Sequence, residues 1–242
     1  MIEVIPVAGL PEIREGDELG ALIVAKASLR EGDVVVVAQK IVSKAEGRVV
    51  ALRDVEPSAR ARELAGERTD LRRLEVVLQE TRRVVRSREG LVIAETHHGF
   101  VCASAGVDHS NAVDPDTVIL LPVDPDASAR RIRSAIRQHS GLEVAVVVTE
   151  SFGRPFRQGT TDVAIGVAGL APLRDLRGTP DRGGLPLRTS QVAVADELAA
   201  AANLVRGTKA DGLPVVVVRG AAVTGDGAAA ELVIPPERDL FR

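Results

Sequence analysis

The 242-residue sequence has no tryptophan, no tyrosine and only four phenylalanines. Recognition of a base or a planar ring must then rest mainly on hydrogen bonds and aliphatic contacts rather than on stacking. The single cysteine, Cys102, excludes an intrachain disulfide framework and fits a reducing compartment. No apolar run approaches the roughly 20 residues that cross a bilayer. The start, MIEVIPVAGL, has neither the basic segment nor the long apolar core of a secretory signal. A soluble, cytoplasmic protein with no membrane partner is expected. The net charge of -3 argues against a nucleic-acid partner, which calls for a basic face. Lysine is also scarce: only four of the 31 basic side chains are lysine, at positions 26, 40, 44 and 209. The common nucleotide signatures are missing. There is no GxxxxGK[ST] and no GxGxxG after a strand, and TGDG at 224–227 reads as a turn. A bound nucleotide would need an unusual set of loops.

What is present is the composition of a folded globular chain, 45% hydrophobic and 27% charged. Short β-branched runs predict strands over 2–7, 33–38, 90–95, 117–123, 142–149 and 213–220. Their near-continuous hydrophobicity predicts burial on both faces. Helical spacing from Leu64 to Val84 predicts a long charged helix within 57–87. Residues 124–140 predict a helix with an aspartate cap and an Ile132–Ile136 stripe. Residues 191–207 predict an alanine-rich, mostly buried helix ending at Gly207. The Gly/Pro/Arg-rich stretch 173–190 reads as a flap or hairpin. The irregular alternation of strands and helices predicts a mixed α/β or α+β fold rather than a doubly wound sheet.

Three stretches carry chemistry. In DVVVVAQKIVSKAEGR (33–48), Lys40 and Lys44 follow a buried-looking strand, where two ammonium groups serve either as point charges for a polyphosphate or as solvated turn residues. In GFVCASAGVDHSN (99–111), the cluster Asp108 to Asn111 fits either an Asx turn or a hard-oxygen site for Mg²⁺ or Mn²⁺. In VVVTESFGRPFRQGTTD (146–162), Glu150 and Ser151 fall just past a buried strand and are followed by Arg154 and Arg157, which fits either a ligand site of the kind α/β sheets gather at strand ends or a surface turn with solvated arginines. His97, His98, His109 and Cys102 do not have the spacing of a zinc site.

Taken together, PVAGLPEIREGDEL, GDVVVVAQKIVSKAEGR, AGVDHSN, LLPVDPDASARRIR, TESFGRPFRQG, AIGVAG, VADELAAAANLVRG and DGLPVVVVRG resemble the coenzyme F420-0:L-glutamate ligases over nearly the whole chain. The resemblance implies a single F420 ligase-like domain over 1–242, α+β with two interleaved lobes, in an intertwined homodimer. It also implies GTP-dependent amide-bond formation through an acyl phosphate. L-Glutamate joins coenzyme F420-0, and a further γ-glutamyl linkage follows. The implied cofactors are Mg²⁺ or Mn²⁺, as two ions with nucleotide bound, and K⁺.

Carried over by position, the nucleotide contacts fall on Leu10, Pro11, Glu12, Ile13, Gln39, Lys40, Lys44 and Asn111, and on the loop Arg206, Gly207, Thr208, Lys209, Ala210, Asp211, Gly212 and Leu213. The metal ligands fall on Asp108, Glu150 and Ser151, and the catalytic set on Asp108, Glu150 and Lys44. This chain departs from the family pattern at Gln39–Lys40 (Ser-Thr in archaeal members), at Glu150–Ser151 (Asp-Thr), and at Thr208, where a second-metal glutamate is expected. No C-terminal nitroreductase-like domain is expected after Arg242. Two alternatives accompany the ligase reading: a related ligase acting on another acid, and a homologue that binds nucleotide or deazaflavin without turnover.

Overall fold

The computed structural model describes residues 1–110, 114–154, 156–207 and 210–240. The chain runs β1 (Glu3–Val7), α1 (Leu19–Lys26), β2 (Val34–Ala38), α2 (Gln39–Ala45), β3 (Val49–Ala51), α3 (Ala59–Leu64), α4 (Leu71–Gln79), β4 (Thr81–Arg88), β5 (Leu91–Thr96), β6 (Val101–Ala103) and β7 (Thr117–Ile119). It continues with α5 (Pro125–Ser140), β8 (Ala145–Arg154), β9 (Arg157–Ala168), β10 (Arg174–Asp175), β11 (Gln191–Val192), α6 (Val194–Val205) and β12 (Val215–Arg219).

A five-stranded mixed sheet in the order β1-β12-β2-β8-β9 organises the fold. β2 and β8 are parallel, and the other neighbours are antiparallel. The valine runs are continuous because both faces are covered. Val35, Val37, Val146, Val148, Val215 and Val217 pack with α1 and α5, whereas Val34, Val36, Val147, Val216 and Val218 pack with α6. α5 starts where expected: the Asp124 carboxylate accepts the Ala127 N–H at 2.8 Å ahead of Pro125. Gly166 in β9 permits close approach to this helix, since a Cβ there would lie 2.2 Å from the Pro125 carbonyl oxygen.

Between α2 and α5 the chain makes a smaller lobe with its own core, in which Leu52, Leu74, Val76, Val77, Val92, Val107, Val118 and Leu120 pack together. Here the single long helix expected over 57–87 is corrected. α3 and α4 are separate, the Asp70 carboxylate caps α4 by accepting the Arg72 and Arg73 N–H groups, and TRRVVRSR forms β4. Pairing of β4 with β5 overrides the helical spacing, with bulges between Thr81 and Arg83 and between Val84 and Arg86. Arg82 and Arg83 from this strand converge on the buried Glu95. The 173–190 stretch forms an exposed hairpin arm closed at its base by β10 and β11. Among the described residues, no helix is long and apolar enough to cross a membrane.

Candidate active site

Four segments meet at one end of the large sheet. β1 ends at Val7 opposite Val215, the first residue of β12, which in turn faces Val37 near the end of β2. The chain after β1 (Leu10 to Ile13), the first turn of α2 and the segment before β12 therefore share this edge. β2 pairs with β8 only as far as Ala38 with Thr149. From Glu150 onward β8 pairs with β9 alone, so Glu150 and Ser151 stand beyond the end of β2 next to α2. These two residues thus lie inside a strand, a correction to their expected place after one. The smaller lobe contributes Asp108, pinned by paired backbone bonds with Ile119 at 2.8 and 2.9 Å.

The result is a cleft of about 760 Å³. It is lined by Leu10, Pro11, Glu12, Ile13, Lys40, Lys44, Asp108, Glu150, Ser151, Arg206, Gly207, Ala210, Gly212 and Leu213, all expected from the sequence. Gln39 is fully buried instead: its Oε1 accepts the Ser43 hydroxyl at 2.8 Å, and its Nε2 lies beside Glu150 without a partner of full hydrogen-bond geometry. Asp211 is exposed beside the cleft rather than lining it. Asn111, Thr208 and Lys209 lie outside the described residues.

Charge organises the cleft. Lys40 Nζ lies 2.7 Å from Asp108 Oδ2 and donates to Ser110 Oγ at 2.6 Å. Burial would raise the Asp108 carboxyl, but the Lys40 ammonium and the Ser110 N–H outweigh it and hold it down to about 2. Burial pushes Glu150 up to about 7. The Asp108 charge adds to the rise, while Gln39 and Lys40 oppose it. Lys44 reaches Glu12 at 2.5 Å from the other wall. The neighbouring Cys102 thiol is pushed up to about 12 by burial and by the Glu150 charge.

Asp162 is the residue that sequence reading missed. It stands directly across the β8–β9 pair from Ser151 and is 3% exposed. Its carboxylate accepts the Ser151 hydroxyl at 2.5 Å and the Thr149 hydroxyl at 3.2 Å, and it forms an ion pair with Arg206. Arg206 also donates to Thr149 Oγ1 at 2.8 Å, while its buried Nε and Nη2 have no partner among the described residues. Burial pulls the Arg206 pKa down, and the charges of Asp162 and Glu150 resist this. A charged aspartate inside the apolar-flanked run TTDVAIGVA was the available signal, but it acquires meaning only once the strand register is known. Thr160 and Asn203 are further lining residues that the sequence reading did not pick out.

The donor set suits a hard cation. Asp108 and Glu150 offer carboxylate oxygens, and Ser151 gives its proton to Asp162 and keeps its lone pairs for a ligand. Among the described residues, no group of three or more His, Cys, Asp or Glu gathers into a self-sufficient cage. An ion here would complete its shell with water and ligand oxygens. His97, His98 and His109 each place Nε2 near a backbone carbonyl, those of Gln79, Pro122 and Pro115 respectively.

Comparison with known proteins matches this arrangement to one family. A family model described as F420-0:Gamma-glutamyl ligase matches residues 9–220. A coenzyme F420:L-glutamate ligase of Methanothermobacter thermautotrophicus is 43% identical, with 100% of this chain and 99% of the relative aligned. The protein of that name from Methanopyrus kandleri is 45% identical over 96% of this chain and 94% of its own length. The one from Methanocaldococcus jannaschii is 41% identical over 96% and 94%. With the match spanning both lobes and the loops that line the cleft, the chain belongs to the F420-0:gamma-glutamyl ligase family.

Proposed function

We propose that this protein is a GTP-dependent ligase of coenzyme F420 biosynthesis. It joins the α-amine of L-glutamate to the terminal carboxylate of coenzyme F420-0 and then extends the product through a γ-glutamyl linkage. The observation that carries the reading is the gathering of Lys40, Lys44 and Arg206 with Asp108 and Glu150 in one cleft of a member of this family. The family description names F420-0, and the relatives' names give coenzyme F420 and L-glutamate, which support this choice of acid and amino acid.

A carboxylate resists an amine until one of its oxygens becomes a leaving group. Transfer of the GTP γ-phosphoryl to the F420-0 carboxylate gives an acyl phosphate and GDP. Attack by the glutamate amine on the carbonyl carbon then forms the amide and expels phosphate. Positioning and charge neutralisation are what such a transfer asks of the protein. Lys44, whose ammonium faces the exposed Glu12, and the Arg206 Nε and Nη2 bind polyphosphate oxygens; an anion satisfies these two buried N–H groups, which have no partner among the described residues. Asp162 holds Arg206 and Ser151 in place. Leu10, Pro11 and Ile13 give an aliphatic wall to the guanosine in a cleft without tryptophan or tyrosine. Asp108, Glu150 and Ser151 would hold Mg²⁺ or Mn²⁺, whose contribution when bound is to neutralise phosphate charge during transfer. K⁺ dependence, a second divalent ion brought by the nucleotide and a homodimer complete the proposal.

The test is release of inorganic phosphate from GTP with purified protein and Mn²⁺. The reading expects release that requires F420-0 and glutamate together. Release that needs glutamate but ignores F420-0 would point to another acid, and no release under any combination would point to a binding homologue.

A further inference from the structure

We propose that Lys40 is a tethered cation. It occupies the charge position of a divalent ion at Asp108 until metal and nucleotide arrive, and then moves its ammonium from Asp108 to a nucleotide phosphate. The inference rests on the reading of Asp108 and Glu150 as metal-binding carboxylates.

Both oxygens of Asp108 are already engaged. Oδ2 faces the Lys40 ammonium at 2.7 Å, and Oδ1 accepts the Ser110 N–H at 2.7 Å. The ammonium is further fixed by Ser110 Oγ at 2.6 Å, and its side chain is only 16% exposed. Lys40 and Asp108 come from different lobes, so this contact ties the first turn of α2 to the smaller lobe across the cleft. The same ammonium is close enough to Glu150 to oppose the burial that raises it. Lys40 therefore serves as the counter-charge for both carboxylates that an ion would bridge.

A divalent ion bound to Asp108 at coordination distance would lie within a few ångströms of an ammonium held on the same carboxylate, and like charges so close repel. One of them must leave, and the lysine can: its charge is a compact point on a flexible four-carbon stem, unlike the rigid fork of arginine. That difference matters in a chain where nearly every other cation is arginine. The ammonium exchanges its partner, from carboxylate to phosphate. Lys44, held by Glu12 on the other wall, leaves Asp108 untouched and cannot do the same. The consequence is coupling. Metal alone must displace Lys40 with nothing to receive it, whereas metal with nucleotide supplies the phosphate that does. Metal and nucleotide therefore raise one another's affinity by the same factor.

The experiment is titration of Mn²⁺ into the full-length protein, with and without GDP, reading free Mn²⁺ by its electron paramagnetic resonance signal. The parent, Lys40→Met, Lys40→Gln and Asp108→Asn are compared. The glutamine variant retains a donor for Asp108, so folding does not depend on the methionine variant alone. The proposal expects both Lys40 variants to bind Mn²⁺ about tenfold or more tighter than the parent without GDP. It also expects the gain in Mn²⁺ affinity on adding GDP to shrink by a similar factor. Mn²⁺ binding that needs Asp108 but is unchanged or weaker in both Lys40 variants overturns the tethered-cation inference alone. Mn²⁺ binding that ignores Asp108→Asn removes the metal reading, and this inference with it.

Discussion

Replacing Asp162 with asparagine keeps the shape of the side chain and removes its charge from the most enclosed ion pair of the cleft. Asp162 is 3% and Arg206 11% exposed at the side chain, so solvent screens the pair little. The guanidinium already has two buried nitrogens with no partner among the described residues. Asp162→Asn would take away the charge it pairs with directly and turn one end of the new amide into a donor facing either Arg206 or the Ser151 hydroxyl. Leaving one member of a buried pair uncompensated costs about 3–5 kcal/mol. For a chain of this size, roughly 2–4 °C of melting temperature is lost per kcal/mol, so a fall of about 6–20 °C is expected. Calorimetry on the nucleotide-free protein measures it directly. GDP affinity should fall in parallel, since Arg206 would no longer be held at the phosphate position. A melting temperature and a GDP affinity both equal to those of the parent would refute the assignment of Asp162 as the anchor of Arg206.

Other outcomes follow from the same geometry. Lys44→Ala should weaken GTP or GDP binding by roughly 1.5–3 kcal/mol, the value of a charge-assisted contact, and Lys40→Ala should weaken it less; equal, negligible losses in isothermal titration would return both lysines to a structural role. Glu150, raised to about 7, binds a proton in the folded state that the unfolded chain has already lost above 4.5. Its contribution therefore favours folding at low pH and fades as pH rises through 7, and Glu150→Gln should flatten the stability curve between those limits. Asp108 has the opposite sign: its contribution is present above 3.8 and is lost as pH falls through about 2, which Asp108→Asn should abolish in acid denaturation. Mn²⁺ binding should release more protons at pH 6 than at pH 8, seen as buffer-dependent heats, because Glu150 must ionise to bind the ion. Cys102, buried with its thiol raised to about 12, should resist a thiol reagent in the folded protein and react on unfolding.

How much was legible depended on the range of the interactions. The central strands could be read because their signal is local: runs such as VVVV in β2 and β12 need no partner to declare burial on both faces. α5 could be read from Asp124–Pro125 and its isoleucine stripe. The 57–87 segment misleads because arginine-rich TRRVVRSR matches helical spacing, while the partner that makes it a strand, LVIAET, lies beyond its own window. β9 is hard to read for a related reason. Its outer half is polar and exposed, and only pairing with β8 extends the strand from the buried VAIGVA out to Arg157. The site followed the same rule. Residues in distinctive segments, such as Lys44 in SKAEGR and Asp108 in AGVDHSN, were found by resemblance, and the fold brings them to one cleft. Asp162 closes the 146–162 stretch with no local signal of its own and joins the cleft only through its register with Ser151.

The central claim, ligation of glutamate to F420-0, is tested most directly by mass spectrometry of the products formed from F420-0, L-glutamate, GTP and Mn²⁺ with this protein. The account predicts a deazaflavin product heavier by one glutamyl residue, then by two, with GDP formed in step and no product when GTP or glutamate is left out. F420-0 recovered unchanged while the same protein binds GTP and Mn²⁺ would contradict it.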